Sequence, residues 1–207
     1  MGKVITIGRE YGSNGRRIAK ALSQRLGIHY YDKELIRLAE KESDISYEEL
    51  MKVDEKRANP WRYAVEDDVQ MERRFRFEPM NDVLFQTQRD IILKLAENQD
   101  CIIVGRCANQ ILSDHKKRKS IFVYAPLQKR IETIMERAAV DEKNARTLIK
   151  KMDKQRRYYY NYYTDGRWND MKEYDLCLDS SRYSMDEIVD IRSEEHTSEL
   201  QSLLRIS

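Results

Sequence analysis

The sequence predicts an α/β fold, a parallel sheet forming the middle of three layers with helices on both faces. Three observations carry that prediction. A β-branched run at 4–7 (Val4-Ile5-Thr6-Ile7) passes through a glycine-bearing loop straight into an amphipathic helix. Short apolar runs and segments of helical period then alternate along the chain, the pattern of right-handed βαβ units. Glycine or polar residues follow the apolar runs at Gly8, Asp32, Gly105-Arg106 and Tyr124-Ala125, which collects them at one rim of the sheet. Ligands of such sheets bind beyond the carboxyl ends of the strands.

Each element has a local reason. Ile18, Leu22 and Leu26 repeat at helical spacing over 16–26, and Ala19 and Ala21 allow close approach to a sheet. A short strand at 28–31 ends at Asp32, and a helix over 33–42 keeps Leu35, Ile36, Leu38 and Ala39 on its inner side. Ser46 opens a further helix as an N-cap, with Glu48 and Glu49 in the first turn where the helix dipole favours them. Residues 53–79 are highly charged, with Trp61, Phe75 and Phe77 as isolated anchors, and read as an insertion outside the core. A long amphipathic helix is expected over 80–98, buried strands over 101–104 and 120–124, a helix over 127–138 and a last weak strand over 175–178.

Composition bounds the function. With 207 residues, 41% of them hydrophobic, the chain can bury one core, so residues 1–191 are read as a single domain. Charged residues reach 36%, yet the net charge is only +2, which argues against a dedicated polyanion binder. Three cysteines, Cys101, Cys107 and Cys177, are too few and too scattered for a disulfide frame or a zinc site. No apolar run approaches the roughly 20 residues of a membrane span, and the first residues lack a signal-peptide layout. A cytoplasmic protein without membrane partners is expected. The run Arg-Ser-Glu-Glu-His-Thr-Ser-Glu-Leu-Gln-Ser at 192–202 reads as the conceptual translation of a sequencing-library adapter, so 192–207 are set aside as a tail.

The loop after the first strand carries the chemistry. A helix start aimed at the sheet rim presents unpaired backbone N–H groups, and phosphate is their usual occupant. Amides of Gly12, Ser13, Asn14, Gly15 and Arg16 form the expected cradle, and Gly12, Asn14 and Gly15 adopt positive φ cheaply. The arrangement is that of a phosphate-binding P-loop, G-x-x-x-x-G-K-[ST], but Arg16-Arg17 stands where lysine and hydroxyl are sought. Arg16 or Arg17 is the candidate replacement cation, and a planar guanidinium fork is not a point-charge ammonium.

The stretch ITIGREYGSNGRRIAKALSQRLGIHYYDKELI resembles the opening of the cytidylate kinase-like family, relatives of the bacterial nucleoside monophosphate kinases. The segments IIVGRCANQIL and DKQRRYYYNYYTDGRW followed by YDLCLDSS resemble it too, in order and spacing, so the likeness spans about 3–190. The resemblance implies a P-loop kinase-like sheet with a helical acceptor-binding insertion at about 45–80 and a lid at about 140–170. It also implies ATP and Mg²⁺, with a nucleoside monophosphate, CMP or dCMP, as acceptor. Asp32 matches the aspartate before the acceptor-binding helix, a contact of the monophosphate pocket; an N-cap for the following helix is the other reading. Arg106 resembles the arginine that holds the acceptor phosphate, against a structural ion pair. Arg156 and Arg157 resemble lid arginines that close over the transferring group, against a solvated helix face. Tyr158, Tyr159, Tyr160, Tyr162, Tyr163 and Trp168 would pack the lid or stack on a base. With Arg17 at the hydroxyl position, Mg²⁺ would need Ser13, an acidic rim residue such as Asp32, and water. The resulting readings are an ATP-dependent phosphotransferase, a non-catalytic nucleotide sensor on the same fold, and, against the near-neutral charge, a single-strand nucleic-acid binder.

Overall fold

Alternate residues of the central strands feed two separate cores, and this fixes the sheet between helices. The structure is a computed structural model and describes residues 2–43, 45–53, 62–65 and 76–190. The strands are β1 (Val4–Arg9), β2 (His29–Tyr31), β3 (Arg62–Val65), β4 (Arg76–Pro79), β5 (Cys101–Val104), β6 (Arg118–Tyr124) and β7 (Leu176–Asp179). The helices are α1 (Gly15–Leu26), α2 (Glu34–Glu42), α3 (Tyr47–Val53), α4 (Met80–Asn98), α5 (Ala108–Ile111), α6 (Leu127–Ala138) and α7 (Glu142–Tyr163), and 185–190 are also helical. Five strands pair in the order β2-β5-β1-β6-β7, every neighbour parallel.

Val4, Cys101 and Ile103 turn to one face, where Leu35, Ile36, Leu50, Leu84 and Ile92 of α2, α3 and α4 cover them. Ile5, Ile7, Ile102, Val104 and Ile121 turn to the other, against Ile18, Ala19 and Leu22 of α1 and Ile188 of the helical 185–190 segment. Each fully buried Leu or Ile contributes about 1.5–3 kcal/mol, so the two faces together dominate stability. α1 stops at Gly27, whose φ of 67° and N–H bond to the Ser23 carbonyl form a left-handed C-cap.

One element departs from expectation. The insertion implied to be helical holds α3 and then an antiparallel hairpin, β3 with β4, in register Arg62 opposite Pro79. Tyr63, Val65 and Phe77 are strand formers, and the charged residues between them masked that pattern. Trp61, Phe75 and the tail 192–207 lie outside the described residues.

Candidate active site at the strand ends

β1 runs out beside β6, where the Glu10 N–H still donates to the Val123 carbonyl at 3.0 Å. The chain then turns back over the rim. Tyr11 N–H donates to Asp153 Oδ1 at 2.8 Å. Gly12 has φ 87°, and a Cβ there would sit 2.9 Å from the Arg130 carbonyl oxygen, so only glycine fits. Asn14, φ 60°, is the left-handed residue that opens α1. Among the described residues, the N–H groups of Gly12, Asn14, Gly15, Arg16 and Arg17 meet no acceptor. They are the free donors that an anion would satisfy.

Ser13 contributes nothing beyond its amide. Its buried hydroxyl donates to the Glu10 carbonyl at 2.9 Å and the Val123 carbonyl at 3.0 Å, so it braces the loop and does not face a metal. Its own N–H makes a long 3.4 Å contact with the Glu10 carbonyl.

Asp32 is the electrostatic centre of the rim. Its Oδ1 accepts from Arg106 Nη1 at 3.0 Å and lies 3.9 Å from Arg9 Nη2; its Oδ2 lies 2.8 Å from Arg16 Nε. The N-cap reading of Asp32 fails, because α2 is preceded by Lys33 and carries no side-chain cap. Three successive left-handed residues, Gly105 (φ 79°), Arg106 (φ 51°) and Cys107 (φ 56°), fold the chain sharply at the end of β5. Two of them carry a Cβ, at a cost of about 1–2 kcal/mol each. The turn sends the Arg106 side chain back over the strand, where Nη1 also donates to the Val104 carbonyl at 3.1 Å. Strain of this kind concentrates at functional sites.

A second network ties the loop to the helices. Arg130 Nη1 pairs with Asp153 Oδ2 at 2.5 Å and Arg130 Nε lies 3.3 Å from Glu10 Oε2, which also accepts from the Ala125 N–H at 3.2 Å. Burial pushes the Glu10 carboxyl above its usual range, opposed by the Arg130 charge. Arg156 of α7 donates from Nη1 to the Arg9 carbonyl at 3.0 Å and lies over the Tyr11 ring. Arg157 is exposed and faces Glu10 only as a nearby charge.

Two recesses flank the loop. On the β5 side a narrow cleft with about 20 Å³ of free space lies between strand ends and α7, lined by Gly8, Arg9, Arg106, Arg156, Tyr159, Tyr160 and Trp168 among others. On the α6 side a groove of about 250 Å³ is lined by Gly12, Asn14, Ala125, Lys129, Ser180 and Ser181 among others. Tyr159, Tyr160 and Trp168 pack with Phe85, Phe122 and Tyr174 in one aromatic cluster, so these lid aromatics serve packing, whereas Tyr158 and Tyr162 stack on each other at the surface. Burial pushes the Tyr160 hydroxyl up to about 12, against the Asn109 amide that donates to it at 2.8 Å.

The sequence profile described as the cytidylate kinase-like family matches residues 4–182. The chain belongs to that family. A cytidylate kinase of Methanopyrus kandleri is 32% identical over 199 residues, covering 91% of this chain and 90% of its own. Among solved structures, an uncharacterized protein from Eubacterium ventriosum superposes with a TM-score of 0.69 at 29% identity, over 93% of this chain and 96% of that one. A gluconokinase from Sinorhizobium meliloti shares the fold, with a TM-score of 0.55 at 10% identity over 100% of this chain and 97% of its own.

Within this cytidylate kinase-like frame, Gly12, Ser13, Asn14, Gly15, Arg16, Asp32, Arg106 and Arg156 converge on one rim. Arg17 lies beside them, exposed and without a partner among the described residues, and Arg157 stands back. Sequence reasoning missed Arg9, Glu10 and Arg130. Arg130 had a usable signal, since it falls on the same helical stripe as Ile131 and Ile134 and is buried with them. The Mg²⁺ ligands proposed from the sequence do not fit the ion: the Ser13 hydroxyl is committed to two carbonyls and Asp32 to arginines. Among the described residues no group of three or more His, Cys, Asp or Glu side chains could hold a metal, and no helix is long and apolar enough to cross a membrane.

Proposed function

We propose that this chain transfers the γ-phosphoryl group of ATP to a nucleoside monophosphate, with CMP or dCMP as the preferred acceptor. One observation carries the reading: a loop whose Gly12, Asn14, Gly15, Arg16 and Arg17 amides have no partner among the described residues separates two recesses, and the cleft on the β5 side has guanidinium groups at its floor. ATP phosphates would lie on the amides of Gly12 to Arg17, with the rest of the nucleotide in the groove beside Lys129 and Ser180. The acceptor would enter by widening the narrow aromatic-walled cleft, with its phosphate toward Arg106, Arg9 and Arg156, where guanidinium binds phosphate bidentately. An α-phosphate oxygen of the acceptor forms a bond to the γ-phosphorus as the bond to the β–γ bridging oxygen breaks, and ADP leaves with that electron pair. Phosphoryl transfer of this kind is positioning and charge stabilisation. The acceptor phosphate is already a nucleophile, so no side chain is needed as a base. Residues 45–80 are the proposed acceptor-binding segment and 140–170 the proposed lid.

A coupled assay across CMP, dCMP, UMP, AMP and GMP tests the proposal. Turnover with a pyrimidine monophosphate is expected, and Arg106→Ala should lower it about 10²-fold, as loss of a group aimed at transferred charge does. No turnover with any acceptor, in protein shown to be folded, overturns it. The commitment of the Ser13 hydroxyl favours one rival, a nucleotide sensor, which tight calorimetric ATP binding without transfer would establish.

A further inference from the structure

The missing lysine leaves a chemical gap that the rim fills by an indirect route. Arg16, the residue after Gly15, stands second in α1. Its side chain is 58% exposed, and among the described residues its one ion pair is through Nε to Asp32 Oδ2. The contact is an ion pair, so Asp32 holds the guanidinium by charge. Nη1 and Nη2, which form the outer edge, have no acceptor among the described residues. Asp32 is 9% exposed and cannot follow solvent, because its other oxygen holds Arg106. It therefore joins a cation from the start of α1 to a cation from the end of β5.

We propose that Asp32 is a positioning residue: by pairing with Arg16 at 2.8 Å it holds that guanidinium beside the phosphate loop, where it supplies the charge an ammonium would supply. This rests on the phosphotransferase reading. An unanchored arginine on an exposed helix start would sample many rotamers, and ordering it on each turnover would raise the barrier. With the guanidinium held by this charge, its planar fork of N–H donors stays within reach of phosphate oxygens. Arg17, one residue on, has no such anchor and is assigned no part.

A double-mutant cycle tests the pairing, with two readouts: steady-state kinetics with ATP and CMP, and calorimetric binding of inorganic triphosphate. Arg16→Gln is at an exposed position and retains the fold. It is expected to lower kcat 10- to 100-fold with little change in the CMP KM, because the contact strengthens in the transition state. Asp32→Asn is expected to lower kcat to a similar extent, and to add less than about threefold in the Arg16→Gln background. Triphosphate affinity should show the same non-additivity. If the two effects multiply in both readouts, or if Asp32→Asn raises only the CMP KM, the positioning role is overturned while the kinase reading stands. If wild type turns over no acceptor but the triphosphate effects are coupled, the anchoring stands and the kinase reading falls. Absence of both turnover and triphosphate binding overturns both. Should Asp32→Asn fail to fold, Arg16→Gln decides alone, and unchanged kcat and triphosphate affinity overturn the proposal.

Discussion

Asp153→Ala removes the buried carboxylate that joins α7 to the phosphate loop, and its cost can be assembled from the contacts it makes. Tyr11 loses the acceptor of its N–H, a 2.8 Å bond, and a buried donor left without a partner costs about 1–3 kcal/mol. Arg130 loses its 2.5 Å partner but keeps Glu10 Oε2 at 3.3 Å and the Tyr11 carbonyl at 3.4 Å. Its loss is therefore well below the roughly 3–5 kcal/mol of a stranded buried charge. The sum is about 3 kcal/mol, or a fall in Tm of roughly 6–12 °C for a chain of this size. Asp153→Asn keeps an oxygen for Tyr11 and should cost about half as much. Urea unfolding followed by far-UV circular dichroism measures both, and ATP affinity should fall in the same order because the loop loses its brace. A change under about 0.5 kcal/mol for the alanine variant, at unchanged m-value, would refute the idea that this contact shapes the loop.

Three further outcomes are expected. Ser13→Ala, which removes two hydroxyl bonds to carbonyls, should cost about 1 kcal/mol in stability and leave the Mg²⁺ dependence of turnover unaltered; a shifted Mg²⁺ requirement would return the hydroxyl to the metal. Gly12→Ala, forced to a φ of 87° with a carbonyl 2.9 Å from the new methyl, should abolish nucleotide binding by calorimetry even where the protein still folds. The raised Glu10 carboxyl contributes stability that is complete below its ordinary value of about 4.5 and is lost as pH rises through its higher folded value. Unfolding curves at several pH values should therefore show wild type losing ground to Glu10→Gln as pH climbs from about 4.5; a difference that stays flat, or grows in favour of wild type, contradicts that environment.

Much of the framework was legible because the hydrophobic period is strong where the sheet is buried. α4, α6 and β5 begin and end where the apolar pattern starts and stops, and Ser46 caps α3 as a reciprocal pair with Glu49. The rim position of Asp32 and Arg106 was legible for the same reason, since both follow strands. Their mutual contact was not, because it depends on Arg106 adopting a left-handed conformation that a non-glycine residue rarely takes. The hairpin at β3 and β4 was hidden by its charged surroundings. Glu10 and Arg130 were passed over because a single charge in a loop, or on a helical stripe, has no partner in sequence; only folding brings the two together across 120 positions of chain.

The seating of α7 restricts how the enzyme can move. Ala145, Ile149, Asp153, Tyr159 and Tyr160 are all buried along its length, so swinging the whole helix outward would uncover apolar and ionic groups from one end to the other. Arg156 rides on that packed helix and already stands at the rim, so the proposed lid over 140–170 would close by small adjustments and not by a swing of the whole helix. Access for a ligand must then come from shorter segments yielding around a fixed wall, so exchange of product is governed by small local rearrangements, and amide hydrogen exchange along α7 should be as slow with the site empty as with it filled.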